Sequence, residues 1–416
     1  MVAVWGIFGS LNLFLPLELA VHPASGEFIV KFHIAVAALI SVFLFGTRSS
    51  AQTVSILYAF SGGSDGGTPY STLTLDSSGN LYGTAFNGGA NAAGTVYELS
   101  PSADGWKETV LFSFDGQDGD GPYSGVIFDA QGNIYGTTAF GGAHGSGTVY
   151  ELKLSTKGVW KETVVHNFGS VGKTPQGNIV FDKDGNLYGT TFYGGKYGKG
   201  TVWELLPNGK GGWVSKTLHT FAAGSDGANP YAGVIVDSDG NAYGTTWIGG
   251  ANNAGVVFKL SPKPSGPWDE SILYNFSGAG SVGGLIFDAK GNLYGTTFDD
   301  LVFELTPKSG EEWSESTLST VGEAPESTLV FDSDGNLYGT TLDGGSSLMG
   351  SVFELSPETG GSWNQTLLHA FTRGQDGSRS DVGVTLDSKG HIYGTTYAGG
   401  GTGCGGSGCG VVFQVN

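Results

Sequence analysis

Short runs of apolar residues separated by turn-forming residues recur along most of this chain. Residues 124–129 are mostly apolar and end in an aspartate, and residues 133–139 form a second run after a glycine-containing turn. Apolar and polar residues then alternate over 147–152, and a longer run follows at 160–168. Runs of this length, joined by loops of hairpin length, predict one antiparallel sheet of four strands. No segment has a convincing helical period, so we expect an all-β protein.

This pattern occurs seven times, and each copy carries the motif Asp-x-x-Gly-Asn, an aliphatic residue and Tyr-Gly-Thr-Thr, with small variations. The motif aspartates are Asp76, Asp129, Asp182, Asp237, Asp288, Asp332 and Asp387. Subtracting successive positions gives spacings of 53, 53, 55, 51, 44 and 55 residues. Four-stranded repeats of this length predict a radial array. We therefore predict a seven-bladed β-propeller with four strands in each blade.

The motif has a physical explanation. Its aspartate can accept hydrogen bonds from backbone N–H groups two or three residues later, and its first glycine takes the positive φ that a tight hairpin needs. The second glycine lies inside a strand, where it weakens the sheet unless another backbone approaches closely, and we expect such an approach near the crowded inner strands. The tyrosine of the motif is expected to pack between adjacent sheets.

Tryptophan marks the start of the predicted fourth strand in six copies: Trp106, Trp160, Trp213, Trp268, Trp313 and Trp363. Such a regular set would suit a ring of platforms on which sugars stack. However, a tryptophan in the same place in nearly every blade is also what packing between repeats requires. We favour the packing interpretation.

The phase of the repeat predicts how the ring closes. Residues 53–60 resemble the fourth strand of other copies, such as 271–276, whereas residues 410–415 resemble a third strand. The last copy therefore lacks the strand that the N-terminal segment can supply. Pairing the two removes two exposed sheet edges, so we predict that an N-terminal strand completes the last blade.

The region before the propeller, which we place at residues 52–416, has the pattern of an export signal. A basic start, an apolar stretch at 34–46 and small residues before Ala51 predict a signal peptide over 30–51. Its apolar core is short for a membrane span, so we expect a secreted, extracellular or periplasmic protein with no stable span in the mature form. We interpret residues 1–29 as a mis-assigned start; the alternative is a two-part membrane anchor.

Charge and composition limit the partners. The formal net charge is −19, which disfavours nucleic acid and anionic membranes and is compatible with cations, basic proteins or neutral sugars. Solubility alone also explains it. Glycine accounts for 74 of the 416 residues without a three-residue period, so we assign the excess to turns and tight strand contacts. We expect a monomer.

Candidate ligand-binding residues lie in four loops that join consecutive blades and share an Asp-Gly pattern, three of them continuing to Pro-Tyr. They are Asp65, Tyr70, Asp118, Tyr123, Asp226, Tyr231 and Asp376. Carboxylates beside aromatic rings near the channel mouth would suit a sugar or a cation. The alternative, which we favour, is a turn in which each aspartate binds its own backbone and the Pro-Tyr pair packs at the entrance to the strand.

The cysteines predict a local disulfide. Cys404 and Cys409 lie in a glycine-rich segment with no nearby histidine or further cysteine, so a metal site there is incomplete. An exported chain meets oxidising conditions, in which a disulfide is stable.

Signals for metals are weak elsewhere. Asp-x-Asp-Gly at Asp182, Asp237 and Asp332 resembles the start of a calcium loop, but the later ligands are absent, so we expect ordinary turns and no cofactor. One position of the fourth strand holds a histidine in three copies, and we expect packing there and no metal: His166, His219 and His369.

The motif also resembles a known repeat. Together with the following Gly-Gly and Gly-Thr-Val-Tyr-Glu-Leu, most complete at 76–99 and 129–152, it is similar to the GloVer-type (Gloeo/Verruco) tandem repeat of exported bacterial proteins. The resemblance covers about residues 53–416, and its first half is similar, less specifically, to the NHL-type propeller repeat. It implies export and a propeller-like fold but no reaction. The fifth copy departs after Thr297, where Gly-Gly is missing and a shortened loop is expected.

The sequence therefore favours an exported propeller of unknown specific ligand, which binds a glycan or a protein through its loop face or acts as a scaffold. It contains no nucleophile elbow, zinc-protease motif or phosphate loop, so no catalytic residue is assigned. The alternative is an extracellular hydrolase or lyase whose acidic residues converge at the central channel. Two carboxyl groups about 5–9 Å apart in a channel pocket would favour that alternative.

Overall fold

The computed structural model describes residues 53–309, 312–322 and 324–416, together with a pair of short strands, β1 (Ala20–Val21) and β2 (Phe28–Ile29). The expected signal peptide over residues 30–51 lies outside the described residues and remains a prediction. Within the described part of the chain, no helix is long and apolar enough to cross a bilayer.

Seven antiparallel sheets of four strands follow from Thr53 onward, and each sheet is one blade, as predicted. The innermost strands are two residues long: β4 (Thr74–Leu75), β8 (Ile127–Phe128), β12 (Val180–Phe181), β16 (Ile235–Val236), β20 (Ile286–Phe287), β24 (Val330–Phe331) and β28 (Thr385–Leu386). The second strands carry the Tyr-Gly motif: β5 (Leu81–Ala85), β9 (Ile134–Thr138), β13 (Leu187–Thr191), β17 (Ala242–Thr245), β21 (Leu293–Thr296), β25 (Leu337–Thr341) and β29 (Ile392–Thr396).

The third strands are longer and mostly buried: β6 (Thr95–Ser102), β10 (Thr148–Leu154), β14 (Thr201–Pro207), β18 (Val256–Ser261), β22 (Leu301–Pro307), β26 (Ser351–Pro357) and β30 (Val411–Val415). The outer, fourth strands are β3 (Val54–Ala59), β7 (Gly105–Ser113), β11 (Trp160–Asn167), β15 (Trp213–Thr220), β19 (Asp269–Asn275), β23 (Trp313–Thr320) and β27 (Trp363–Ala370). A short helical turn, α1 (Gly403–Gly406), precedes β30.

The ring closes as the repeat phase predicts. Strand β3 pairs with β30, so that Val54 lies opposite Val415 and Tyr58 lies opposite Val412. Blade 7 is therefore β28, β29, β30 and the N-terminal β3, and the other blades are numbered from β4 in chain order. The seam thus has the same hydrogen-bonded ladder as the interior of the other blades.

The hydrophobic core is divided into seven clusters, and each lies between two adjacent blades. Between blades 3 and 4, for example, Tyr188 packs with Phe258, Leu260 and Trp268. The Tyr188 and Trp268 rings lie 6.2 Å apart. The other five strand-opening tryptophans also pack against such clusters. Packing between blades is therefore the role of these tryptophans, and the motif tyrosines share it.

The glycines inside the second strands are required for a different reason from the one expected. A side chain of the neighbouring third strand, and not a backbone, lies over each of them. A Cβ at Gly244 would stand 2.6 Å from Cζ of Phe258, and one at Gly295 would stand 2.6 Å from Cζ of Phe303. The prediction of a close backbone approach at these positions is wrong, because a buried aromatic ring occupies the space.

The motif aspartates organise their hairpins as predicted. Asp237 Oδ1 accepts hydrogen bonds from the N–H groups of Asp239 and Asn241, both at 2.9 Å. Its Oδ2 accepts from Asn241 Nδ2 at 2.8 Å and from the Tyr243 hydroxyl at 3.0 Å. The same aspartate thus closes the turn and orients the tyrosine that packs between blades.

Two sets of loops share one face of the ring, which we call the loop face. The loop entering each blade pairs with the loop between its second and third strands, as in the Gly67–Asn87 and Asp120–Phe140 bridges. The disulfide between Cys404 and Cys409 also lies on this face and packs against Gly62 of the first connecting loop. Cys409 is buried between blades 7 and 1 and accepts a 2.7 Å hydrogen bond from Thr68 N, so the disulfide loop braces the seam.

Candidate functional site at the channel mouth

One residue from each blade lines the entrance to the central channel. Each stands six positions before the motif aspartate and four before the innermost strand. We call these residues the mouth ring: Tyr70, Tyr123, Gln176, Tyr231, Val282, Glu326 and Asp381. They surround a single cavity of about 280 Å³. Because every blade contributes one member, the cavity lies on the axis of the ring.

Small side chains narrow the channel below the mouth ring. Two residues further along, glycine or a small polar residue brings the inner strands of neighbouring blades together. Gly125 N donates to Asn178 Oδ1 at 2.9 Å, and Gly284 N donates to Thr328 Oγ1 at 3.0 Å. A Cβ at Gly233 would collide with the carbonyl of Asn178. The cavity continues past this narrow level, because it is also lined by residues of the innermost strands: Val180, Ile235 and Ile286.

Aromatic side chains form one side of the entrance. Tyr70 stacks on Tyr123 with ring centroids 4.8 Å apart and planes 9° from parallel, and Tyr397 covers the other side of Tyr70 at 4.7 Å. The Tyr123 and Tyr231 hydroxyls lie 2.6 Å apart, which joins blades 2 and 4. The rings of Tyr70, Tyr123 and Tyr231, which stand just before the innermost strands of their blades, thus form a rigid wall.

A second group of large apolar residues surrounds the mouth ring. These residues stand ten positions after the motif aspartates in six of the seven blades: Phe86, Phe192, Trp247, Phe298, Leu342 and Tyr397. Phe192 lies 5.9 Å from Tyr231 and 6.1 Å from Trp247, so the aromatic surface continues outward from the wall. Trp247 is 43% exposed and Phe298 is 47% exposed. Solvent therefore reaches a broad aromatic surface around the cavity.

The opposite side of the entrance is acidic. Glu326 of blade 6 and Asp381 of blade 7 line the same cavity. Burial, with a smaller contribution from the charge of Glu326, raises the pKa of Asp381 to about 8. Burial, with a smaller contribution from Asp343, raises the pKa of Glu326 to about 7. At neutral pH these carboxyl groups therefore hold protons for much of the time and can donate hydrogen bonds.

Two polar atoms at the entrance have no hydrogen-bond partner among the described residues: Oδ1 of Asp381 and Oε1 of Gln176 are both shielded from solvent. Leaving buried oxygens without a partner costs free energy, about 1–3 kcal/mol each. A ligand with hydroxyl or amide groups would satisfy them. The cavity thus combines an aromatic wall with unsatisfied polar groups.

The structure separates the two kinds of candidate residue. Tyr70, Tyr123 and Tyr231 belong to the mouth ring, whereas the four loop aspartates do not line its cavity. Asp226 accepts backbone hydrogen bonds from Ala222 at 2.8 Å and Gly224 at 3.2 Å. Each of the other three also accepts a backbone hydrogen bond from its own loop: Asp65 from Ser61, Asp118 from Asp115 and Asp376 from Thr372. Hydrogen bonds from the aspartate's own loop are what the turn interpretation expects of these residues.

Sequence reasoning missed Gln176, Glu326 and Asp381. Their signal was the register: each stands six residues before a motif aspartate, where three other copies have tyrosine. The Pro-Tyr pattern concealed it, because blades 3, 5, 6 and 7 have other residues in place of the tyrosine. Asp381, in particular, occupies the place of Tyr70 in the last copy.

A larger depression of about 600 Å³ lies at the junction of blades 2 and 3. It is lined by His144, His166, Lys173 and Trp203, among others. The loop from Phe168 to Gln176 is two residues shorter than its counterpart from Phe60 to Tyr70 and lacks the aspartate. The depression is thus the space that the shorter loop leaves, and it does not receive residues from every blade.

Comparison with known proteins agrees with this architecture. The family model of the Gloeobacter/Verrucomicrobia repeat matches residues 40–214 and 162–301. The chain belongs to this family. The predicted GloVer-type resemblance is thus confirmed. No curated protein matches the chain.

Two solved structures show the same fold at low sequence identity. The extracellular domain of a hybrid two-component system from B. thetaiotaomicron has a TM-score of 0.53 and 13% identity, over 88% of this chain and 41% of that one. The WD40 β-propeller domain of Doa1 has a TM-score of 0.55 and 13% identity, over 87% of this chain and 97% of that one. This chain thus spans less than half of the first structure.

Proposed function

We propose that this protein is an exported glycan-binding propeller that holds its ligand on the loop face, over the mouth ring. The observation that carries this proposal is the joining of an aromatic wall to unsatisfied polar groups in one cavity. Sugar rings present apolar C–H faces and polar hydroxyl edges, so they need both kinds of surface. Small-molecule sites usually combine apolar walls with a few convergent polar groups in this way.

Each side of the entrance has a distinct role in this proposal. Tyr123 and the exposed Trp247 provide faces on which a sugar ring can stack, and Tyr70, covered on both sides by Tyr123 and Tyr397, holds Tyr123 in place. Asp381, Glu326 and Gln176 exchange hydrogen bonds with hydroxyl groups, as donors when the carboxyl groups are protonated. The net charge of −19 favours neutral over anionic sugars, because an anionic ligand would be repelled.

A glycan array with the purified chain tests the proposal, followed by calorimetry on the sugars that bind. Trp247→Ala is expected to weaken binding about tenfold, because a lost aromatic contact of about 1.4 kcal/mol corresponds to that factor. Tyr197→Ala is the matched control. Tyr197 is exposed (51%), as Trp247 is, but it does not belong to the aromatic group that joins the wall through Phe192, so its variant should bind like the wild type.

Two outcomes would contradict the proposal. Binding of no neutral glycan would reject it, and equal losses in the Trp247 and Tyr197 variants would place the ligand elsewhere. Propellers also bind proteins through their loop faces, and selective binding of a protein that Trp247→Ala removes would identify that other class of ligand.

A hydrolase is the second candidate, and one observation favours it: two carboxyl groups of raised pKa meet in one cavity on adjacent blades. Glycosidases use a carboxyl pair, of which one member is protonated at working pH. Incubation of the bound glycan with the protein should then release new reducing ends, and Asp381→Asn should abolish this release without abolishing binding. A ligand that binds and is not cleaved leaves binding as the function.

Export completes the proposal. The predicted signal peptide, the family of the chain and its likeness to an extracellular domain support a location outside the cytoplasm. Protein recovered from the medium or periplasm of expressing cells should begin at Gln52 on N-terminal sequencing. An intact N-terminus in the cytoplasmic fraction would contradict export.

A further inference from the structure

Three potential metal ligands converge where blade 3 meets blade 4, away from the central cavity. His219 lies on β15, Asp226 lies in the loop between the two blades, and Glu270 lies on β19. All three side chains are largely buried, with exposed fractions of 16–17%. Residues distant in the sequence thus meet at one inter-blade junction.

The distances among their polar atoms suit a shared metal ion. His219 Nε2 lies 3.5 Å from Asp226 Oδ2 and 3.5 Å from Glu270 Oε1. Zinc binds nitrogen and oxygen ligands at about 2.0–2.1 Å, and two ligands of a tetrahedral ion at that distance stand about 3.3–3.4 Å apart. The observed separations are longer than ordinary hydrogen bonds and close to this tetrahedral edge.

The ligand atoms are also unsatisfied. Nε2 of His219 and Oε1 of Glu270 are shielded from solvent and have no hydrogen-bond partner among the described residues. Asp226, by contrast, is held in place by the N–H groups of Ala222 and Gly224. Such outer contacts fix the orientation of a ligating carboxylate. The loop therefore presents one oriented carboxylate to two polar atoms that lack partners.

The seven-fold repeat provides internal comparisons. At the junction of blades 1 and 2 the equivalent positions hold Phe112, Asp118 and Glu162, so the histidine is missing. Glu162 Oε1 is also unpartnered there, as is Glu108 Oε1 at the junction of blades 7 and 1, so an unsatisfied glutamate by itself does not mark a metal site. The trio of nitrogen and two carboxylates is what sets the junction of blades 3 and 4 apart.

A second junction lacks the equivalent of Glu270. Between blades 6 and 7 the equivalent residues are His369, Asp376 and Val54. His369 Nε2 there lies 3.2 Å from Asp376 Oδ2, which is within hydrogen-bonding distance. At the junction of blades 6 and 7, the two candidate ligands therefore hydrogen-bond to each other. At the junction of blades 3 and 4, which has three, the histidine stands 3.5 Å from each carboxylate.

We propose that His219, Asp226 and Glu270 bind one Zn²⁺ ion that ties blade 3 to blade 4. One imidazole and two carboxylates are a donor set that zinc accepts, and a water molecule would complete four-coordination. This revises the expectation from sequence that His219 serves only in packing. The site is independent of the proposed glycan site, since none of its residues lines the axial cavity.

The test is zinc binding by the full chain. Protein stripped with chelator and then dialysed against ZnCl₂ should retain one equivalent of zinc by elemental analysis. At a zinc concentration about a hundred times Kd, the Tm should rise by about 3–4 °C. His219→Phe, which copies the residue at the first junction, and Glu270→Val, which copies the last, should each lose the bound zinc and the rise in Tm.

The matched control is His369→Phe, which alters a histidine of the same position at a junction with two candidate ligands. It should keep the full equivalent of zinc. Circular dichroism and size-exclusion chromatography of each variant establish that it is folded. Stripped wild-type protein that takes up no zinc, folded His219→Phe protein that still binds an equivalent, or equal losses in the His219 and His369 variants would overturn the proposal.

Discussion

Neighbouring residues of the repeat motif in this protein have different roles. In Tyr-Gly-Thr-Thr, the tyrosine faces the next blade and the glycine accommodates an aromatic ring of the third strand. Gly244 lies directly opposite Phe258 in the β17–β18 ladder. Its backbone does not have a positive φ, so the requirement for glycine is one of space and not of conformation. This separates it from Gly240, where φ is +83° and space is open.

The Gly244→Ala variant tests this requirement. The added methyl group would overlap Phe258 and is expected to destabilise the fold by about 1–3 kcal/mol, the usual cost of overpacking. Denaturant unfolding of Gly244→Ala, Phe258→Leu and the double variant forms a double-mutant cycle. The double variant should be more stable than the sum of the single losses implies. Strict additivity would mean that the glycine is needed for another reason.

At the scale of secondary-structure elements, the decisive feature is the exchange of one strand between the chain ends. Strand β3 is the outer strand of a sheet whose other three strands come from the C-terminus. While β3 is in place, β30 is paired along both edges; without β3, the outer edge of β30 would be unpaired. The disulfide loop and the Thr68–Cys409 hydrogen bond hold the chain beside the seam, so several contacts depend on the same closure.

Removal of residues 53–60 should therefore unfold or aggregate the protein, because β30 and the cluster between blades 7 and 1 would be exposed. Removal of residues 1–51 is the control and should leave the Tm unchanged. Thermal unfolding and size-exclusion chromatography measure both. An unchanged Tm after loss of residues 53–60 would show that the closed ring does not depend on β3.

At the scale of the whole molecule, two groups of carboxyl residues respond to pH in opposite directions. Burial acts to raise the pKa of turn residues such as Asp237, but hydrogen bonds from Asn241 and Tyr243 outweigh it and hold the pKa below its usual value. Burial raises the pKa of Glu108 and Glu162 to about 7, as well as that of Asp381 to about 8. Asp65 adds to the effect at Glu108, and Asp118 adds to it at Glu162.

Stability should consequently be highest in mildly acidic solution. The turn aspartates whose pKa is lowered stabilise the fold above their unfolded pKa of 3.8, and this stabilisation is lost as the pH falls. The carboxyl groups whose pKa is raised keep protons that the unfolded chain releases. Their contribution to the stability of the fold is therefore full below the unfolded pKa, which is 4.5 for glutamate, and is lost as the pH rises to about 8. Calorimetry should show Tm falling between about pH 5 and pH 8. Asp381→Asn should flatten the upper part of that fall, and a Tm that rises over this range would contradict the assignment.

The sequence by itself determined the repeat unit, the number of blades, the turn chemistry and the identity of the closing strand. All of these depend on local patterns or on their spacing, which a linear sequence retains. Asp237 and Gly240 can be recognised as a turn because both partners lie within a few residues. Strand β3 can be recognised because it repeats the pattern of six other strands.

Only the tertiary structure decided which residues meet. Glu326 and Asp381 share a cavity with Tyr123 because closure of the ring brings one position of every blade to the axis. His219 and Glu270 approach each other because adjacent blades pack side by side. Side chains fifty or more residues apart acquire a common environment only through that packing, and their burial, pKa and unsatisfied atoms follow from it.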